Sequence, residues 1–326
     1  MTTIFAQVIA DSVGQHAPRL TTLLLRYPRW IHAEGRTHRA IRIGEDMEID
    51  LRTPSLMEDA NLSRNASSSR ALPVAKLIAD VTDDPAVPLY WGANQPGMQA
   101  GEELTGTALE DARTEWFRAL GDAVMRAQNL AKIGAHKQIV NRVLEPFSHI
   151  TVVVTGTKWE NFFALRMHPA AEPHIRLLAE RMYEAMKAST PTLLKDGWWH
   201  LPFVRQEDHD FLAVHVRGDD PYEVSERIDR LGLKLSVARC ASTSYKTVDG
   251  FDMTLDRAQA LHDKLITADP PHASPCEHQA TPTGYNPRSK RTKPPNLGGN
   301  LGREWVQYRK QVELARDGVP ERQAAG

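Results

Sequence analysis

The sequence is poor in cysteine, lacks any long hydrophobic run, and carries almost equal numbers of positive and negative charges. Its two cysteines, Cys240 and Cys276, are too few for a disulfide framework and make a poor metal site. The N-terminus lacks the basic start and apolar core of a signal peptide. No segment approaches the roughly 20 apolar residues of a membrane helix. With 40 basic and 41 acidic residues, the whole chain has no electrostatic preference for nucleic acid or membrane. We therefore expect a globular, cytoplasmic protein.

Several motifs of common enzyme classes are also missing. The chain has no glycine-rich phosphate loop, no paired-cysteine zinc spacing, no His-Glu-x-x-His and no Gly-x-Ser-x-Gly. His272, Glu277 and His278 lie close together in a proline-rich turn, but their spacing matches no standard zinc motif. The sequence therefore predicts no metal site, and neither cysteine has the surroundings of a nucleophile.

Apolar runs alternate with amphipathic segments along the chain, which predicts an α/β or α+β fold. The β-branched and leucine-rich runs predict strands at 20–26, 149–155, 211–217 and 234–241. Helical spacing and proline or threonine starts predict helices from Trp30 through Arg39, from Pro73, and at 105–130, 158–167 and 173–187. Thr107 is the expected cap of the helix at 105–130.

Changes in composition divide the chain into one large domain and two irregular segments. We expect a single catalytic domain at 1–280 and 301–316, interrupted by an acidic, exposed insertion at 41–62. Residues 281–300 are rich in Pro, Gly and basic residues and predict a flexible loop, and 317–326 predict a disordered tail. The basic run Arg288–Lys293 could contact nucleic acid or phosphate, whereas the ordinary interpretation is a solvated loop.

Polar residues that suit an anion gather in a few segments. Ser67–Arg70 offers hydroxyls, backbone N–H groups and a guanidinium just before the Pro73 helix, which suits a phosphate. The alternative is an ordinary serine-rich cap. Asn161 and Arg166 are five residues apart, so on a helix their side chains diverge by about 140 degrees and serve different ligands or different parts of one.

Thr37-His38-Arg39 and Ser63-x-Asn65-x-x-Ser68-x-Arg70 together resemble the signature R-H-R-x-x-S-x-N-x-x-S-x-R-Y of flavin-dependent thymidylate synthases. A second block, from Asn141-Arg142 to Arg166, resembles the later strand and helix of that family. A third block, Ala238–Tyr245 and His272–His278, resembles segments that normally precede the signature. Circular permutation or internal duplication would explain this order, and the sequence does not choose between them. It most resembles divergent, signature-first relatives from viruses of bacteria.

The resemblance implies a mixed sheet flanked by helices, FAD as cofactor, and a homotetramer. It implies thymidylate synthesis from dUMP, with methylenetetrahydrofolate as one-carbon donor and NADPH as reductant. Ser68 and Arg166 would take part in catalysis. The residues expected to contact FAD are His38, Arg39, Asn65, Asn161, Ser244, His272 and Ser274. The residues expected to hold the nucleotide phosphate are Ser68, Arg70, Arg142 and Arg166.

The sequence departs from the family pattern at several positions. Thr37 replaces the first arginine of the triplet and Ala71 the final tyrosine, while Ala66 and Ser242 stand where an acidic residue and an arginine are usual. The insertion at 41–62 also splits the signature. Two alternatives therefore stay open: a flavin-dependent pyrimidine deoxynucleotide hydroxymethylase, and a non-catalytic relative that binds nucleotide or nucleic acid.

Overall fold

The computed structural model describes residues 3–32, 62–243, 253–269, 271–288 and 295–316. The strands are β1 (Phe5–Gly14), β2 (Leu20–Pro28), β3 (Leu62–Ala66), β4 (His149–Gly156), β5 (Thr192–Leu194), β6 (Ala280–Pro282) and β7 (Trp305–Gln307). The first five form one sheet in the order β3-β4-β2-β1-β5, in which only the β1–β5 pair is parallel. β6 and β7 form a separate antiparallel pair. The main sheet is therefore mixed, as expected.

Helices surround the main sheet. Within the described residues they are α1 (Val74–Asp83), α2 (Gly106–Lys132), α3 (Lys137–Val140), α4 (Glu160–Arg166), α5 (Pro173–Ala188), α6 (Gln206–His215), α7 (Pro221–Ser242), α8 (Leu255–Thr267) and α9 (Tyr308–Arg316). The predicted fold class, a mixed sheet flanked by helices, is confirmed. None of the helices in the described parts of the chain combines the length and hydrophobicity that a membrane crossing requires.

Strand β2 is buried on both faces, which explains its nearly continuous apolar sequence. Leu23 and Leu25 point to one side, where they pack in a core with residues of α4 and α5 such as Phe162. Leu24 points to the other side and packs with Cys240 of α7. Side chains alternate between the faces of a strand, so a strand covered on both sides needs apolar residues at successive positions.

Two predicted strands, at 211–217 and 234–241, are wrong. The first lies in α6 and at its C-terminal end, and the second lies inside α7. The alternation of Leu233, Leu235 and Val237 imitates a strand, but α7 is buried around much of its circumference there, so small and polar residues between them are buried too. A helix buried on several sides loses the single apolar stripe by which helices are recognised.

The other local predictions fare differently. The strands at 20–26 and 149–155 and the helices after Pro73, at 105–130, 158–167 and 173–187 are confirmed with small shifts in their ends. Thr107 is not a cap, because α2 begins at Gly106 and Thr105 precedes it. β1 and β3 were not predicted, and the start of the predicted loop at 281–300 belongs to β6. His38, Arg39, nearly all of the insertion, most of Arg288–Lys293 and the tail lie outside the described residues.

A chain of buried hydrogen bonds crosses the sheet on the side facing α7. The Thr22 hydroxyl is 2.7 Å from the Thr155 hydroxyl, its cross-strand neighbour, and 2.7 Å from Nε2 of His200. His200 Nδ1 is 2.8 Å from the Ser12 hydroxyl, and Thr155 is 2.8 Å from Nδ1 of His278. Burial lowers the pKa of each imidazole to about 3, so both are neutral at ordinary pH.

These two histidines predict acid sensitivity. Their folded pKa lies far below the unfolded value of 6.5, so the unfolded chain takes up protons first as the pH falls. The contribution of the two neutral histidines to the free energy of unfolding is fully present above pH 6.5. It declines between pH 6.5 and pH 3, by about 1.4 kcal/mol per pH unit for each histidine. Denaturant unfolding at pH 6.5 and pH 5.5 measures this slope. His278→Gln should reduce the slope, whereas replacement of the exposed His168 by Gln should not. An equal slope in both variants would contradict the prediction.

Candidate functional site

The serine-rich turn after β3 begins beside the first residues of β4. β3 pairs antiparallel with β4, and its last residue, Ala66, lies opposite Val152. Ser67 continues this pairing, because its N–H donates to Thr151 O at 2.8 Å and its hydroxyl accepts from Thr151 N at 3.0 Å. The chain then turns through Ser68, where Ala71 N donates to Ser68 O at 3.0 Å. The sheet therefore fixes the start of the turn.

Asn141 ties the turn to a 3-10 helix that runs from Asn141 to Phe147. Its side chain is fully buried, and Nδ2 donates to Ser69 O at 2.7 Å and to Leu72 O at 3.0 Å. Lys137 adds a hydrogen bond from Nζ to Ala71 O at 2.9 Å. The hydrogen-bonding needs of three turn carbonyls are thereby met by side chains from one neighbouring segment.

Glu145 collects hydrogen-bond donors from both segments. Its carboxylate accepts from the Ser69 hydroxyl, and Arg142 Nη1 lies 3.0 Å and 3.2 Å from its two oxygens. The side chain of Arg142 is 57% exposed and that of Glu145 23% exposed, so the ion pair lies at the protein surface. The arrangement places a hydroxyl and a guanidinium around one anionic group.

Arg29 reaches the same cluster from the end of β2. Its N–H donates to Ser148 O at 2.9 Å, and Nε donates to Ser148 Oγ at 3.1 Å. Burial lowers the pKa of Arg29, and the charge of Glu145 opposes that shift. A guanidinium that loses water in this way favours a nearby anion.

The structure brings together three of the four residues predicted to bind phosphate. Ser68 is half-buried and Arg70 is exposed in the turn, and Arg142 adjoins Asn141, which holds that turn. Arg166 is half-buried at the end of α4, after the opposite end of β4. Asn161 is on the same short helix, as the prediction about these two side chains assumed.

The residues predicted to contact FAD fall partly outside the described chain. His38, Arg39 and Ser244 are not among the described residues. Asn65 lies in β3, and this strand lies against the 3-10 turn Ser274–Glu277. Helix α7, which ends just before Ser244, contacts the same turn. The displaced block of the signature is therefore folded back beside the signature strand.

His272 and Ser274 are both exposed beside β3, so they are accessible to a ligand. An imidazole and a hydroxyl can donate hydrogen bonds to the polar groups of a flavin nucleotide. These two described residues therefore fit FAD in chemistry and in position next to the signature strand.

Neither the two cysteines nor a group of metal ligands adds a reactive centre within the described residues. Cys240 and Cys276 are buried, and burial raises the pKa of both thiols, that of Cys276 to about 12. A thiol that stays protonated is a poor nucleophile. Over the described ranges, no three His, Cys, Asp or Glu side chains are grouped as ligands for a metal ion.

The sequence interpretation included Ser69 in the Ser67–Arg70 segment but missed Arg29 and Glu145. Arg29 stands in the stretch before the signature, and Glu145 lies inside the second block that resembles the family. Glu145 pairs locally with Arg142, but the contacts of Arg29 with Ser148 and of Glu145 with Ser69 join segments that are far apart in the sequence.

Comparison with known proteins supports the family resemblance. A family model described as thymidylate synthase complementing protein matches residues 93–192, about a third of the chain. The resemblance to this family of thymidylate synthases is therefore confirmed over that segment. The segment contains Arg142, Asn161 and Arg166, and it begins after the residues of the split signature.

Two solved structures of the UMP/dUMP methylase PolB from Streptomyces cacaoi are distantly similar. The one bound with 5-Br UMP is 16% identical, with a TM-score of 0.43, and the match covers 57% of this chain and 89% of that one. The one bound with 5-Br dUMP is 14% identical, with a TM-score of 0.41, and the match covers 57% of this chain and 90% of that one. Similarity at this level carries no argument about fold or function. No curated protein sequence matches the chain significantly.

The buried amide of Asn141 predicts a measurable effect on stability. Asn141→Ala removes two hydrogen bonds to buried or half-buried carbonyls, and we expect a loss of about 1–3 kcal/mol in the free energy of unfolding. Denaturant unfolding measures it. Gln138→Ala, at an exposed position on the neighbouring α3, is the control and should change stability little. Equal stabilities of the two variants would show that the amide does not hold the turn.

Proposed function

We propose that this protein is an FAD-dependent enzyme that methylates carbon 5 of dUMP to make thymidylate. The observation that carries the proposal is the meeting of the Ser68–Arg70 turn with Arg142, inside a fold whose 93–192 segment matches a thymidylate synthase family. Both halves of the predicted phosphate site come from segments far apart in the sequence. Their convergence supports one shared ligand.

The residues of this cluster suit the phosphate of a nucleotide monophosphate. Arg70 is exposed in the turn and Arg142 is more than half exposed, so both can reach a ligand at the surface. Guanidinium groups bind phosphate oxygens through paired hydrogen bonds, and the Ser68 hydroxyl adds a neutral donor. Arg166 lies apart from this cluster, beyond the opposite end of β4, and we assign it to the nucleotide and to catalysis with Ser68 by the resemblance alone.

We assign Asn65, Asn161, His272 and Ser274 to flavin binding, and by the resemblance also His38, Arg39 and Ser244. Of these, Asn65 in β3 and Ser274 lie in segments that contact each other. FAD would supply the reducing electrons that convert the transferred one-carbon unit to a methyl group. The task of the protein is then to hold the pyrimidine against the cofactor, which needs the phosphate as a fixed anchor. We further propose NADPH and methylenetetrahydrofolate as cosubstrates, a homotetramer, and a cytoplasmic location.

Loss of a phosphate-binding arginine should weaken dUMP binding. Arg70→Ala and Arg166→Ala each remove a charged hydrogen-bond donor, and we expect each to cost about 1.5–3 kcal/mol in dUMP binding. Isothermal titration with dUMP measures this. The matched control is Arg181→Ala, because Arg181 is an exposed arginine on α5 that pairs with Glu184. Unchanged dUMP affinity in both site variants would remove the assignment of these residues.

The reaction itself can be tested with purified protein and its proposed cosubstrates. After incubation with FAD and removal of the excess, we expect a flavin absorbance band close to one flavin per chain. With labelled methylenetetrahydrofolate, NADPH and dUMP, the labelled product should be thymidylate. A hydroxymethylated nucleotide would replace this proposal by the hydroxymethylase alternative. Protein that stays colourless with FAD would overturn the flavoenzyme assignment and leave the non-catalytic alternative.

A further inference from the structure

Glu145 accepts hydrogen bonds from the kinds of group that bind phosphate. Its carboxylate accepts from the Ser69 hydroxyl, and its two oxygens lie 3.0 Å and 3.2 Å from Arg142 Nη1. A hydroxyl donor and a guanidinium are the groups that bind a phosphate oxygen. Arg142 is also one of the residues assigned above to the nucleotide. The protein therefore already contains an anion that is hydrogen-bonded to part of its own phosphate site.

The surrounding charges reinforce this contact. Arg29 and Arg142 both interact electrostatically with Glu145, and they repel one another across the cluster. Arg29 is largely removed from solvent, and its pKa is lowered by that burial. Arg29 in particular needs a counter-anion, because burying a charge is costly unless it is compensated. Glu145 is the anion that the chain itself supplies.

We propose that Glu145 is an intramolecular substitute for the phosphate of the substrate, which holds its binding groups in the free protein and is displaced when phosphate binds. The inference rests on the proposed function only for the identity of the nucleotide. A carboxylate and a phosphate cannot both accept from the same donors, and their like charges repel. The free energy needed to displace Glu145 is therefore subtracted from the binding of phosphate, so Glu145 lowers the affinity for phosphorylated ligands specifically.

A purely structural role for Glu145 predicts the opposite result. If the carboxylate only orients Arg142 for the ligand, its removal leaves the guanidinium without a fixed orientation and weakens phosphate binding. If Glu145 competes with the ligand, its removal frees Arg142 and Ser69 and strengthens binding. The sign of the change in affinity therefore separates the two roles.

The test compares Glu145→Gln with the intact protein in titrations with dUMP, with inorganic phosphate and with deoxyuridine, which lacks the phosphate. Glutamine keeps the shape of the side chain and removes its charge. We expect dUMP and inorganic phosphate to bind roughly tenfold more tightly to the variant, the scale of one charged hydrogen bond. Deoxyuridine affinity should not change. Glu184→Gln is the matched control, since Glu184 also pairs with an arginine at three-residue spacing, at an exposed position on α5.

Unchanged or weaker binding of both phosphate-bearing probes to Glu145→Gln would overturn the inference. Equal tightening in Glu184→Gln would also overturn it, because the effect would then come from the net charge alone. If inorganic phosphate binds more tightly to Glu145→Gln while dUMP binds to no form of the protein, the inference stands and the proposed substrate fails. Glu145→Asp, with a shorter reach, serves if the glutamine variant does not fold, and it should tighten phosphate binding in the same direction.

Discussion

The side-chain amide of Asn141 is the contact on which the candidate site depends. It joins the turn after β3 to the 3-10 helix that carries Arg142 and Glu145, and it does so from a fully buried position. A buried amide that donates to two backbone carbonyls defines a geometry, because each hydrogen bond constrains both distance and direction. Without it, only the hydrogen bonds of Lys137 with Ala71 and of Glu145 with Ser69 would still join the turn to the second segment.

Much of the architecture could be predicted from the sequence, and the successes have a common cause. The strand at 20–26 and the helix at 105–130 carry long, regular apolar patterns, and such patterns indicate the type of secondary structure directly. β3 gives no such pattern, because it is a short, polar strand at the edge of the sheet. The strand predicted at 234–241 failed for a tertiary reason: α7 is enclosed by its neighbours, so its pattern reflects its position in the fold more than its own conformation.

The candidate site was only partly predictable, again for physical reasons. Ser68, Arg70 and Arg142 were found because their residue types and spacing resemble a family signature, and that signal survives in the sequence. Arg29 and Glu145 were missed because their roles arise from charge compensation between distant segments. Charge compensation is a property of the folded protein. The sequence around Arg29 shows neither that its side chain loses water nor that Glu145 lies near it. The sheet interior holds neutral imidazoles and hydroxyls, whereas the ion pair of Arg142 and Glu145 lies at the surface.

The position of β3 has a consequence for the order in which the protein is assembled. One edge of β3 pairs with β4, and the strand lies near the turn Ser274–Glu277 and the 3-10 segment Gly299–Leu301, which are synthesised much later. During translation the sheet edge therefore emerges from the ribosome long before these neighbouring segments. An uncovered edge strand offers its unpaired backbone groups to other chains. The turn Ser274–Glu277, which belongs to the candidate cofactor site, is thus also among the segments whose arrival ends the exposure of β3 to other chains.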